Sequence, residues 1–154
     1  MIEAFRICKT KHVASAFSGE GARINGGRWN SPGTPVIYTA ASLSLATLEV
    51  MVHLEDLAIF ANLFSWVRVE IPDDGVERLK SGGLTDGWDA DEADAASRSV
   101  GDAWLRSKRS AVLAVPSAVT PDEWNYLLNP AHPRFPEIRI GEPRSFKPDR
   151  RLYS

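Results

Sequence analysis

The run Gly26-Gly27-Arg28-Trp29-Asn30 is the most unusual stretch of this sequence. Two adjacent glycines let the backbone turn sharply or approach a ligand closely. Arg28 then offers a planar fork of donors suited to phosphate or carboxylate. A turn anchored by a core tryptophan, with Arg28 in a salt bridge, fits the same spacing. Glu49 is the second oddity. On a helix it shares a face with Leu45, Ala46, Val52 and His53. A carboxylate inside an apolar stripe is costly unless something uses it. It is either the ion-pair partner of a nearby basic group or an active-site acid. Tyr38, shortly before that helix, can pack its ring while its hydroxyl reaches a partner; plain core packing is the alternative. Val115-Pro116-Ser117 ends a continuously apolar run, with Asn125 and Asn129-Pro130 beyond it. No GxSxG elbow surrounds Ser117, and no histidine stands in a diagnostic relation to it. It therefore reads as a hydrogen-bonding residue near a site, or as a cap. Gly19-Glu20-Gly21 is not a dinucleotide fingerprint, because glycine is required at 24, where Ile24 stands. No P-loop motif occurs either.

These residues must be held by a small set of elements. Residues 1–8 read as a strand, and 18–35, rich in Gly, Ser, Asn and Pro, as mostly turns. The β-branched and aromatic run 36–39 is a strand. Ser42 is placed to cap a helix running to about His53 or Glu55, with Leu45, Leu48 and Val52 at helical spacing and Ala46 and Met51 alongside. Residues 62–71 alternate, with Leu63, Val67, Val69 and Ile71 on one side and Arg68 and Glu70 on the other. Turn chemistry at 72–75 ends that strand. Residues 82–93 form a Gly- and Asp-rich loop. A helix over 93–108 follows, with Asp91, Glu92 and Asp94 near its start and Arg106, Lys108 and Arg109 near its end, which suits the helix dipole. The apolar run 111–115 is a strand covered on both faces. Residues 121–127 read as a helical turn, and Ile138 and Ile140 as part of a last strand. Strands and helices do not alternate regularly, so an α+β domain over 1–154 is expected rather than a doubly wound sheet.

Composition narrows the function classes. At 154 residues, 44% hydrophobic and 25% charged, the chain is an ordinary globular protein rather than a disordered one. A net charge of −2 argues against broad nucleic-acid binding, which leaves a basic footprint. Cys8 is the single cysteine, so no internal disulfide forms, and its apolar setting predicts a buried small residue. His12, His53 and His132 lie far apart without a cysteine pair, which is no metal motif. No apolar run approaches the length of a membrane span, and the N-terminus lacks a basic-then-apolar signal pattern, so the cytoplasm is the expected compartment.

Taken together the segments resemble the RES-domain family. The matching stretches are 19–23, 26–33, 36–40 and 45–49, then Val115-Pro116-Ser117, Asn125, Leu128-Asn129-Pro130 and His132-Pro133. The arginine, glutamate and serine of the family's name look like Arg28, Glu49 and Ser117. The resemblance implies a fold similar to ADP-ribosyltransferase toxins, and a toxin of a toxin–antitoxin pair that depletes NAD. It implies an Xre-like helix-turn-helix antitoxin as partner, and NAD as substrate with no separate cofactor and no metal. By the same carry-over Arg28, Tyr38 and Glu49 are the catalytic set, with Arg6, Gly27, Trp29, Ser117 and Asn125 around the substrate. Three readings follow from it. NAD is cleaved at its nicotinamide–ribose bond by water or inorganic phosphate, or ADP-ribose passes to a protein. In the third, the domain is a non-catalytic interaction module in which Arg28 and Glu49 merely pair.

Overall fold

The computed structural model describes residues 1–80, 84–93 and 95–153. The first two residues of the expected 82–93 loop, and Asp94 at the expected helix start, lie outside these. The framework is an eight-stranded sheet. Its strands are β1 (Ile2–Lys9), β2 (Ile37–Ala40), β3 (Phe64–Ile71), β4 (Val76–Arg78), β5 (Val112–Pro116), β6 (Trp124–Leu128), β7 (Arg139–Ile140) and β8 (Arg144–Ser145). They lie in the order β4-β5-β6-β2-β1-β3-β7, with β8 also on β3. Helices α1 (Glu20–Asn25), α2 (Leu43–Met51) and α3 (Ala95–Ser107) complete the α+β architecture. Among the described residues β4 pairs with β5 in parallel, and the other pairings are antiparallel.

The sheet holds together because it is apolar on both sides. In β5, Val112 and Ala114 pack into one cluster with Ala4, Ile37, Val69 and Leu128. The alternate residues Leu113 and Val115 join Trp29, Trp104, Leu105 and Leu127 on the opposite face, beneath α3. This is the pleat at work, and it explains why residues 111–115 are apolar without alternation. A third cluster seats α2 through Leu45 and Ala46 against Ile7, Ala40, Phe60, Phe64 and Phe146. Truncating a wholly buried leucine such as Leu45 is expected to cost about 2–5 kcal/mol. Cys8 is buried, as its apolar setting predicts.

Three expectations are corrected and one is refined. Residues 18–35 are mostly irregular, as expected, with one short helix, α1, within them. It has no buried residue and therefore no apolar stripe to read. Residues 121–127 are not a helical turn. Trp124–Leu128 form β6, the strand between β2 and β5, where ladder bonds on both edges override the Pro-Asp-Glu start signal. Helix α2 stops at Met51, and Leu48 and Val52 are exposed rather than buried. Leu63 precedes β3 and is exposed.

Candidate active site

The start of α2 is fixed by the Ser42 hydroxyl, which accepts from the Leu45 N–H at 3.0 Å. Substituting such a cap by alanine costs about 1 kcal/mol. Burial of Leu45 and Ala46 then sets the helix rotation. Glu49, one turn later on that face, is brought toward the ends of β5 and β6. There its Oε1 accepts from the Ser117 hydroxyl at 2.6 Å and from Asn125 Nδ2 at 2.8 Å. The Ser117 oxygen itself accepts from the Val119 and Thr120 N–H groups, at 3.0 and 3.1 Å. With both lone pairs engaged, its proton is directed to Glu49. Glu49 Oε2 has no partner among the described residues. Neither an ion pair with a basic group nor pairing with Arg28 is seen there.

Glu49 borders an open cleft of about 590 Å³, a size typical of small-ligand sites. Arg6, Gly27, Arg28, Trp29, Tyr38 and Asn125 border it too, so residues distant in sequence meet at one place. Ser117 does not line the cleft. It is wholly buried and reaches the space only through Glu49. Asn125 Oδ1 is buried and has no hydrogen-bond partner among the described residues.

The Gly26-Gly27 turn forms the facing wall. Tyr38 holds it: the phenol donates to Asn30 Oδ1 at 2.6 Å and accepts from the Trp29 N–H at 3.1 Å. Burial pushes the Tyr38 hydroxyl well above its ordinary pKa, against the opposing pull of the Trp29 N–H and of Arg98 and Arg28. It is thus a neutral, fully engaged hydroxyl whose ring walls the cleft. A Cβ on Gly27 would sit 2.5 Å from that hydroxyl, which is why glycine occupies the position. Trp29 is 2% exposed, with its ring in the core near Trp88 at 5.9 Å between centroids. Behind it, Gly101 of α3 lies so close to the Trp29 carbonyl that no side chain fits. Asn30, buried, also donates through Nδ2 to the Ala22 carbonyl at 2.9 Å, tying α1 to the turn.

Arginines supply the positive charge. Arg28 donates to the carbonyls of Trp88 and Ala90, both at 2.7 Å, and so clasps the 84–93 segment rather than an acid. Arg6 donates to the Tyr38 carbonyl at 2.9 Å, and its Nε is buried without a partner among the described residues. Burial lowers its pKa, partly offset by Cys8. Arg98 of α3 also borders the cleft and donates through Nε to the Gly27 carbonyl at 3.0 Å. Sequence reasoning missed Arg98 and the structural partner Asn30. No sequence signal marks Arg98, because its anchor on Gly27 lies 71 residues away. Among the described residues no cluster of His, Cys, Asp and Glu is arranged to hold a metal ion, and no helix is long and apolar enough to cross a membrane.

The RES domain model matches residues 3–149. The chain is 42% identical over 144 residues to a Sphingobium protein named Prs ADP-ribosylating toxin, covering 92% of this chain and 89% of that one. It is 39% identical over 149 residues to a protein named Toxin Res from Yersinia enterocolitica, covering 96% and 97%. A chain in the crystal structure of the M. tuberculosis MbcT–MbcA toxin–antitoxin complex superposes with a TM-score of 0.79 at 22% identity, over 98% of this chain and 86% of that one. That likeness shows the shared fold, and the sequence matches show the family: this chain belongs to the RES-domain family.

Proposed function

We propose that this protein is a toxin that cleaves NAD at the bond between nicotinamide and ribose, and that a partner antitoxin silences it. The observation that carries the reading is Glu49: its Oε1 is pinned by two donors while the residue borders an open cleft beside a wall of arginines. In NAD the nicotinamide nitrogen is cationic. When the C1′–N bond breaks, its electron pair goes to the ring, and nicotinamide leaves neutral. C1′ takes on oxocarbenium character. A carboxylate held in place beside the ribose stabilises that charge as it develops and needs no reorganisation to do so. A water or inorganic phosphate then bonds to C1′; with water, the displaced proton passes to solvent. Tyr38 supplies the wall against which the ribose packs and helps exclude bulk water. Asn125 offers an acceptor, Oδ1, that a substrate donor can satisfy after a small adjustment. Trp29 and Gly27 shape the turn, and Ser117 acts through Glu49.

Purified protein freed of its antitoxin is incubated with NAD, with and without phosphate, and nicotinamide is measured. Release is expected, with ADP-ribose or its 1″-phosphate as coproduct. Absence of release by folded protein overturns the reading. A second reading keeps the site and changes the acceptor: ADP-ribose passes to a protein side chain. The Sphingobium relative's name favours it. Labelled protein formed from tagged NAD is its signature, whereas free products alone count against it.

The toxin–antitoxin structure with the same fold supports an antitoxin partner. We take that partner to be an Xre-like helix-turn-helix protein that fills the cleft and excludes NAD. A small helix-turn-helix reading frame beside this gene, and an inactive complex, are the expected findings.

A further inference from the structure

We propose that Arg98 is the residue that grips the diphosphate of the substrate, a role that deepens the NAD reading above and rests on it for the ligand's identity. A count of donors separates the arginines of the cleft. A guanidinium has five N–H donors. Arg28 spends one from each terminal nitrogen on the carbonyls of Trp88 and Ala90. Offering that fork whole to a ligand would detach the 84–93 segment. Arg6 has one terminal nitrogen on the Tyr38 carbonyl, and its Nε is sealed from solvent. Of its fork one nitrogen is tied to the wall between β1 and β2, so that among the described residues only the other terminal nitrogen is wholly free.

Arg98 differs from both. Only its Nε is engaged, with the Gly27 carbonyl. Both terminal nitrogens, with four N–H donors, have no hydrogen-bond or ion-pair partner among the described residues. The acid one turn along α3, Asp102, does not take them. Its two oxygens accept from the Ser31 N–H at 2.9 Å and the Ser31 hydroxyl at 2.7 Å. Asp91 and Glu20 also border the cleft, and neither is paired with Arg98.

The fork is also preorganised. Gly27, its anchor, lies beneath the Tyr38 hydroxyl, and α3 is pressed against the same turn through Gly101 and the Trp29 carbonyl. A planar fork whose third nitrogen is fixed to an immobile carbonyl presents two parallel N–H directions. That geometry matches two oxygens of a diphosphate and loses little freedom on binding.

Calorimetry with ADP-ribose and with adenosine, which lacks the diphosphate, tests the assignment alongside NAD kinetics. In Arg98→Gln, ADP-ribose affinity is expected to fall at least about tenfold, the scale of one charge-assisted hydrogen bond, with adenosine binding unchanged. KM for NAD is expected to rise about as much while kcat stays within about threefold, as for loss of uniform binding. Arg98→Lys, which keeps the charge but not the fork, gives an intermediate loss and serves as the reporter if the glutamine variant melts early. Unchanged ADP-ribose affinity in both variants overturns the proposal. So does an equal loss for adenosine, which marks a merely structural role. If the wild-type protein binds ADP-ribose through Arg98 but releases no nicotinamide, the NAD-cleavage reading falls and the diphosphate grip stands. If it binds no ADP-ribose, both fall.

Discussion

The two walls of the cleft are made differently. On one side, Glu49 is held by side chains from β6 and just past the end of β5, both interior strands of the sheet. Every donor of Ser117 is used, and the acidic group has one oxygen immobilised. On the other side, guanidinium groups are held by backbone carbonyls of turns and a loop, and they keep donors in reserve. The first wall suits a reaction that needs a charge in a fixed place. The second suits a flexible, doubly charged ligand that must be caught and released.

That contrast can be broken most severely at the carboxylate. Glu49→Gln keeps the shape and removes the charge. Nicotinamide release is expected to fall about 10²–10³-fold, the usual cost of losing one electrostatic stabiliser, with antitoxin binding and melting temperature little changed. Retained activity would dissolve the distinction between the walls. Arg28→Gln attacks the opposite wall. Two carbonyl bonds are lost, so amide exchange within residues 84–93 is expected to quicken by about tenfold or more, while exchange in β5 and β6 is unaffected. Uniform protection across variant and wild type would show that Arg28 does not hold the loop. Ser117→Ala separates position from charge: kcat is expected to drop about tenfold with KM nearly constant, because Glu49 remains but loses a donor. A KM effect instead would place Ser117 in ligand binding.

The smallest effect concerns Tyr38 and alkaline pH. Its buried phenol titrates above its unfolded value of about 10, so the unfolded chain gives up the proton first. The stability this proton confers is complete below that pH and declines as pH rises through it. Denaturant melts from pH 8 to 11 should show a shallower decline in Tyr38→Phe than in the wild type. An unchanged slope would mean that the hydroxyl is not sealed in the native state.

Much of this arrangement can be read from the chain because the governing signals are local. Alternation marks β3, a continuous apolar run marks β5, and a serine cap with apolar spacing marks α2. Arg28, Tyr38 and Glu49 are conspicuous by type and setting, Asn125 enters through the family resemblance, and the structure brings all four to one cleft. What escapes is whatever depends on distant partners. The Ser117–Glu49 bond spans 68 residues and the Asn125–Glu49 bond 76, so no window of sequence contains either. Helix α1 escapes because none of its residues is buried; it is held by Asn30 from beyond its end. Strand β6 escapes because its start looks helical and only its two neighbours make it extended. Arg98 looks like any helical arginine until the Gly27 carbonyl is seen beside it.

The placement of β6 has a temporal consequence. This strand closes the gap between β2 and β5, yet it is made after both. A ribosome that has released only the first hundred residues has delivered Glu49 without either of the groups that steady it. The sheet's two halves stay unjoined until residue 128 has emerged, and such long-range closure is slow. The candidate site is thereby incomplete in a partially synthesised chain, because neither side chain that holds Glu49 has yet been made.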